Sequence, residues 1–228
     1  MGAHKQVLVL CCHGVYHKGA FYADRPIERE VYEGHIRLAF DAIRQKAYDV
    51  LIISGGYTKL EEEKSEARGY LDWADEMGLD RTDLVILLEE YARSSAENLL
   101  FSICRFYQYF CCFPEKVGSC TLGWKKEWHK EVIAPALCLP KFAVETVENE
   151  EMKLKELKER FPNEKVICPD AHEVAENNRG DPLEIRKDVE LRDRWRKGHP
   201  YASINAEFGK MFGNLDEIKF FFPWKQKV

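Results

Sequence analysis

The sequence predicts an α/β fold built around a mostly parallel sheet, and three observations predict it. Residues 6–12, 50–53 and 84–88 are short, continuously apolar runs, the pattern of strands covered on both faces. Each run stops at a cluster of glycine or polar residues. After each cluster comes a longer stretch with apolar residues at helical spacing, so strand, turn and helix repeat as βαβ units do.

The first run ends at His13-Gly14, with His17, Lys18 and Gly19 beyond. This reads either as a ligand loop, in which glycine permits close backbone approach, or as a simple turn. Pro26 suits the first turn of a helix, and Ile27, Val31, Ile36, Ala39 and Ile43 carry that helix to Lys46. The second run stops at Ser54-Gly55-Gly56, a pair of glycines expected to leave backbone amides bare, as phosphate-cradling loops do. It is neither GxGxxG nor a Walker sequence. Ser65-Glu66-Ala67 opens the next helix, to about Met77, with Ser65 placed as its N-cap.

The third run leads through residues 89–98 into a helix over 99–110. A fourth strand is expected over 116–122, ending at Gly123-Trp124-Lys125-Lys126, then a helix through Trp128, His129, Val132 and Ile133. A fifth strand is expected over 142–147, a charged helix over 150–160 and a short strand over 166–168. Residues 1–168 thus form an α/β domain. Residues 169–228 change character, with a turn cluster at 177–182, a charged helix over 183–197 and a tail bearing Phe208, Phe212, Phe220, Phe221, Phe222 and Trp224. So aromatic a helical extension is expected to pack on the same domain or to make a homodimer.

Composition narrows the function. A chain of 228 residues, 45% hydrophobic and 32% charged, has the balance of a soluble globular protein with a substantial core. Its net charge of -5 comes from mixed signs with no basic run, which argues against nucleic acid as the main partner. No apolar stretch approaches the roughly 18 residues of a membrane helix, and residues 1–6 lack a signal-peptide pattern, so a cytoplasmic protein without a membrane partner is expected. The eight cysteines, including the pairs Cys11-Cys12 and Cys111-Cys112, form no CxxC. They read as buried reduced thiols, and no metal site is expected.

The turn over residues 89–98 draws the site together. Ser94 and Glu97 stand three apart, the spacing of a capping box. That leaves Glu89, Arg93, Ser95 and Asn98 unexplained, all near the carboxyl end of a strand, where open α/β sheets place ligands. The helix amino terminus there favours an anion. Ser54 and Glu66 fall at the same edge.

In their order, the glycine loop after the first strand, Ser54-Gly55-Gly56, Ser65-Glu66-Ala67 and Glu89 through Arg93-Ser94-Ser95-Ala96-Glu97-Asn98 resemble the YdcF-like family. The resemblance covers about residues 7–140 and implies a Rossmann-like three-layer α/β/α sandwich with polar residues gathered at the carboxyl edge of the sheet. S-adenosylmethionine binding is associated with a bacterial member. Bacterial relatives carry a Thr-Ser-x-x-His-x-x-Arg-like segment after the fourth strand. Here Thr121-Leu122-Gly123-Trp124-Lys125-Lys126-Glu127-Trp128-His129 stands there, closer to a eukaryotic branch, with Lys125 or Lys126 in place of the basic group.

Three functions follow as expectations. The first is binding of a nucleotide-type or other anionic small molecule, S-adenosylmethionine among the candidates, by His13, Gly14, Ser54, Gly55, Gly56, Ser65, Ser94, Ser95, Glu97, Asn98 and Lys125. The second is hydrolysis of a phosphorylated or nucleotide-like substrate. In it Glu66, Glu89 or Glu97 acts as general base or cation ligand, Arg93 and Lys125 stabilise charge, and His13 or His129 transfers protons. The third is a non-enzymatic interaction protein that dimerises through its aromatic tail.

Overall fold

The computed structural model describes residues 6–17, 19–22, 29–57, 64–92, 94–139 and 141–146. Arg93, Lys18, Pro26, the elements expected over 150–160 and 166–168, and the extension over 169–228 lie outside the described residues.

Strand β1 (Gln6–Cys11) is followed by an antiparallel hairpin, β2 (Val15–His17) and β3 (Ala20–Tyr22), then helix α1 (Arg29–Arg44). Strand β4 (Val50–Ser54), helix α2 (Glu66–Glu76), strand β5 (Val85–Glu89) and helix α3 (Ser95–Phe110) come next. Strand β6 (Lys116–Cys120) leads through a 3-10 turn (Gly123–Lys125) into a π-helix (Trp128–Ile133), and strand β7 (Ala143–Glu145) ends the described chain. The five-stranded sheet has the order β5-β4-β1-β6-β7 and is parallel throughout.

Alternation along each strand sorts the core into two. Val7, Val9, Val50, Ile52, Leu87 and Val117 meet Leu99, Phe101, Ile103 and Phe106 of α3 on one face, with Trp128 and Ile133 of the π-helix. Leu8, Leu10, Leu51 and Ile53 meet Ile36, Phe40, Tyr70 and Trp73 of α1 and α2 on the other. Burying each such side chain fully is worth ~1.5–3 kcal/mol, which is why these strands read as unbroken apolar runs. The chain therefore builds outward from β1 to β4 and β5, then crosses back through α3 to lay β6 on the other side of β1. The register sets Cys11 opposite Ser54, and Ser54 opposite Glu89, so three polar or thiol side chains end their strands in one row.

Several expectations need correction. The loop after β1 is not an open ligand loop beyond Gly14. Val15 and Tyr16 are buried, and the Tyr16 hydroxyl donates to Glu76 Oε2 at 2.6 Å, so the hairpin is stitched onto α2. Close approach is possible because α2 carries Gly69 there: a Cβ would stand 2.5 Å from the Tyr16 nitrogen. The fourth strand stops at Cys120 and the fifth covers three residues, shorter than expected. The helix expected through Trp128, His129, Val132 and Ile133 is present, but it opens as a 3-10 turn, widens to a π-helix and closes as a short α-helix over Ala134–Ala136. Cys11, Cys12, Cys104 and Cys120 are buried as free thiols, but Cys111 and Cys112 are exposed. They lie where α3 ends, with Cys111 in the left-handed region at φ 56 and its amide donating to the Tyr107 carbonyl. No helix among the described residues is long and apolar enough to cross a membrane.

Candidate functional site

The carboxyl ends of β1, β4, β5 and β6 all meet one polar region, and it divides into a buried acidic side and a more accessible basic side. On the acidic side Ser54 Oγ donates to Glu89 Oε2 at 2.7 Å and also lies 3.1 Å from Asn98 Oδ1. The Glu89 carboxylate further accepts the amides of Tyr91 at 2.8 Å and Ala92 at 3.3 Å. Hydrogen bonds of this kind to a carboxylate bend the chain after β5 into its turn. Ser54, Glu89, Glu97 and Asn98 are all buried there, and Glu66 is 9% exposed.

The glycine pair behaves differently from the expectation that its amides stand bare. The Gly55 amide donates to the Glu89 carbonyl at 3.0 Å and the Gly56 amide to the Ala92 carbonyl at 2.7 Å. Their own carbonyls accept from Ala67 and Glu66, each at 3.0 Å. The amides satisfy neighbouring backbone, so the pair ties β4 to the next turn and to α2 instead of cradling an anion. Glycine is required there because a Cβ on Gly55 would lie 2.8 Å from Glu66 Oε2 and one on Gly56 would lie 2.5 Å from the Ala92 carbonyl oxygen. Ser65 caps α2 as expected, accepting from the Arg68 amide at 3.0 Å, and its hydroxyl donates to Glu90 Oε1 at 2.7 Å. The amino terminus of α2 is thereby closed.

The amino terminus of α3 is built for a different use. Ser94 Oγ accepts the Glu97 amide at 3.2 Å, which is the serine half of the capping box. The amides of Ser95 and Ala96 open the helix, where no carbonyl of the helix itself can accept them. Beside them, Lys125 Nζ lies 3.4 Å from Ser95 Oγ and 3.3 Å from His13 Nδ1. An ammonium can only donate, so Nδ1 accepts and the ring proton sits on Nε2, 3.5 Å from Thr121 Oγ1. His13, Ser94, Ser95 and Lys125 are partly exposed, unlike the carboxylates. They come from the ends of β1 and β6 and from α3, where the order of strands reverses about β1. This is the crevice in which open parallel sheets bind ligands.

Two histidines that sequence reasoning undervalued lie behind His13. His35 of α1 is fully buried, stacks on His13 with ring centroids 5.6 Å apart and planes 19° apart, and meets Tyr70 edge-on. Neither His35 ring nitrogen has a hydrogen-bond partner. His129, from the π-helix, takes a 2.7 Å hydrogen bond between Nδ1 and Ser119 Oγ, and Ser119 Oγ also lies 3.7 Å from Cys11 Sγ. Burial pushes His35 down to about 4 and His129 to about 3, the latter with help from the charge on Lys125. His13 is held well below its ordinary value by burial and then by Lys125, so the imidazoles are neutral and Lys125 is the cation among them. Burial raises the Cys11 thiol to about 12 and Cys12 well above its ordinary value, which removes both as thiolate nucleophiles. No group of three His, Cys, Asp or Glu residues suited to a metal ion occurs among the described residues.

The structure thus brings together His13, Ser94, Ser95 and Lys125 on the accessible side, and Ser54, Glu66, Glu89, Glu97 and Asn98 on the buried side. Gly14, also buried, follows His13 in the loop, and Arg93 lies outside the described residues. The spacing of Val31, His35 and Ala39, four apart on one helical face, was the signal that could have found His35. Comparison with protein-family models, curated proteins and solved structures finds no match to the chain.

Proposed function

We propose that the chain is a YdcF-like protein with a Rossmann-like sandwich, binding a nucleotide-type or other anionic small molecule where β1, β6 and α3 meet. The observation that carries this reading is the position of Lys125 Nζ, within 3.4 Å of both His13 Nδ1 and Ser95 Oγ at the amino terminus of a 16-residue helix. Cation, hydroxyl and helix dipole act on one point, and each favours negative charge there. Partial exposure of these groups supports access from solvent, whereas the buried carboxylates of Glu89 and Glu97 serve the shape of the edge.

In this reading a phosphate or carboxylate rests on Lys125, Ser95 and the first amides of α3, and Glu66 lines the far side of the crevice. S-adenosylmethionine would present its carboxylate to the same point. The test is thermal unfolding of the full chain with orthophosphate, adenine nucleotides and S-adenosylmethionine. A ligand at a hundred times its Kd adds about 2.7 kcal/mol of stability, and Lys125→Met should abolish that gain while leaving the unliganded melt in place. No stabilisation by any member of the panel would defeat the reading.

A further inference from the structure

The sequence offered His13 only as a lining residue or a proton carrier. Its surroundings fix it more tightly than either role needs. Its ring is held from three directions: His35 stacks on one side, Thr121 Oγ1 lies 3.5 Å from Nε2 and Lys125 Nζ lies 3.3 Å from Nδ1. His35 is a polar ring, fully buried, whose nitrogens find no partner at full hydrogen-bond geometry, although the Cys120 backbone is near enough to favour its protonated form. Burying such a ring without partners costs free energy and contributes nothing to the core that an apolar side chain would not. A flat ring laid parallel to His13 does, however, set the plane of that imidazole, and pre-set geometry is what a reacting group requires.

We propose that His13 is a nucleophile whose Nδ1 accepts the terminal phosphoryl group of a phosphoric anhydride of the nucleoside di- or triphosphate type. The inference rests on the anion-binding reading above. When the terminal phosphoryl seats on Lys125, Ser95 and the first amides of α3, the Lys125 ammonium exchanges the imidazole for a phosphate oxygen, the stronger acceptor. That uncovers the Nδ1 lone pair beside phosphorus.

Nδ1 then forms the N–P bond as the P–O bond of the anhydride breaks, and the electron pair leaves with the departing phosphate. This leaving group is stable as an anion and needs no acid. Nε2 keeps its proton, directed at Thr121. Water next attacks phosphorus, the N–P electrons return to Nδ1, the proton of the water passes to solvent and orthophosphate departs. Because burial and Lys125 keep His13 neutral, its lone pair is present at physiological pH.

The experiment incubates the full chain with ATP labelled in its terminal phosphate, quenches in alkali and reads acid-labile, base-stable label, with the two phosphohistidine isomers separated against standards. The expected result is label on His13 as the Nδ1 isomer, absent in His13→Gln and lower by about tenfold or more in Lys125→Met, as loss of a charge-assisted hydrogen bond implies. If ATP stabilises the chain but leaves no label, or labels Nε2 or another residue, the nucleophile assignment is overturned and the anion site survives. If ATP gives neither label nor stabilisation, both fall. Should His13→Gln fail to fold, the isomer found on the wild-type chain still decides.

Discussion

Replacing His35 with phenylalanine isolates the energetic cost of burying a neutral imidazole. In the unfolded chain the ring titrates near 6.5, whereas in the folded protein burial lowers it to about 4. Between those values the unfolded state binds a proton that the folded state refuses, so stability falls as pH drops below 6.5. The loss is roughly 1.4 kcal/mol per pH unit, or about 2 kcal/mol by pH 5 for this residue alone. His129 and His13 shift in the same direction for the same first cause, so the wild-type chain should be acid-sensitive well above the range where carboxylates titrate.

Phenylalanine keeps the flat ring against His13 and Tyr70 and removes two buried nitrogens without partners. At pH 7.5 the variant should therefore lie within about 1 kcal/mol of the wild type. Guanidinium unfolding at pH 7.5 and pH 5 should show the variant losing about 2 kcal/mol less than the wild type between the two. Equal losses would refute the reasoning, because they would mean that His35 is protonated in the folded protein or accessible to solvent.

The knot around the glycine pair gives a second expectation. Gly56→Ala drives a Cβ to 2.5 Å from the Ala92 carbonyl oxygen, with Tyr91 backbone carbon at 3.1 Å, and backbone cannot swing aside as a side chain would. Urea unfolding should show a loss of about 2–3 kcal/mol, and a neutral result would mean that this strand-to-turn contact is looser than described. Ser94→Ala removes the acceptor of the Glu97 amide and should cost about 1 kcal/mol, while Ser94→Asp retains most of it. An equal loss in both variants would show that the cap contributes through something other than its oxygen.

The strands were legible in the sequence because a sheet covered on both faces permits no polar interruption. Residues 50–53 and 84–88 could hardly have been anything else once glycine and charged residues bounded them. The caps at Ser65 and Ser94 were legible for a local reason, since each depends on a residue three positions away. What escaped was set by tertiary contact. The amides of Gly55 and Gly56 are occupied by carbonyls of residues 89 and 92, more than thirty positions along the chain. The link from His13 to Lys125 spans 112 positions and has no local signature at all. The hairpin of Val15–His17 and Ala20–Tyr22 was hidden because its strands are three residues long, too short for alternation to register.

The π-helix over Trp128–Ile133 sets which changes of length this part of the chain tolerates. Its wide turn holds one more residue than an α-helical turn would, and Ile133 and Leu137 reach the α3 face only after that extra step. An α-helix rotates by about 100° per residue. Loss of a single residue between His129 and Ile133 would let the wide turn close to ordinary helix with the downstream face still in phase, whereas loss of a second residue, or gain of one, would rotate everything downstream off the core by about that angle. Among descendants of this sequence, loss of that one residue should therefore be the change of length this segment accepts, while other changes of length should be rarer than substitutions.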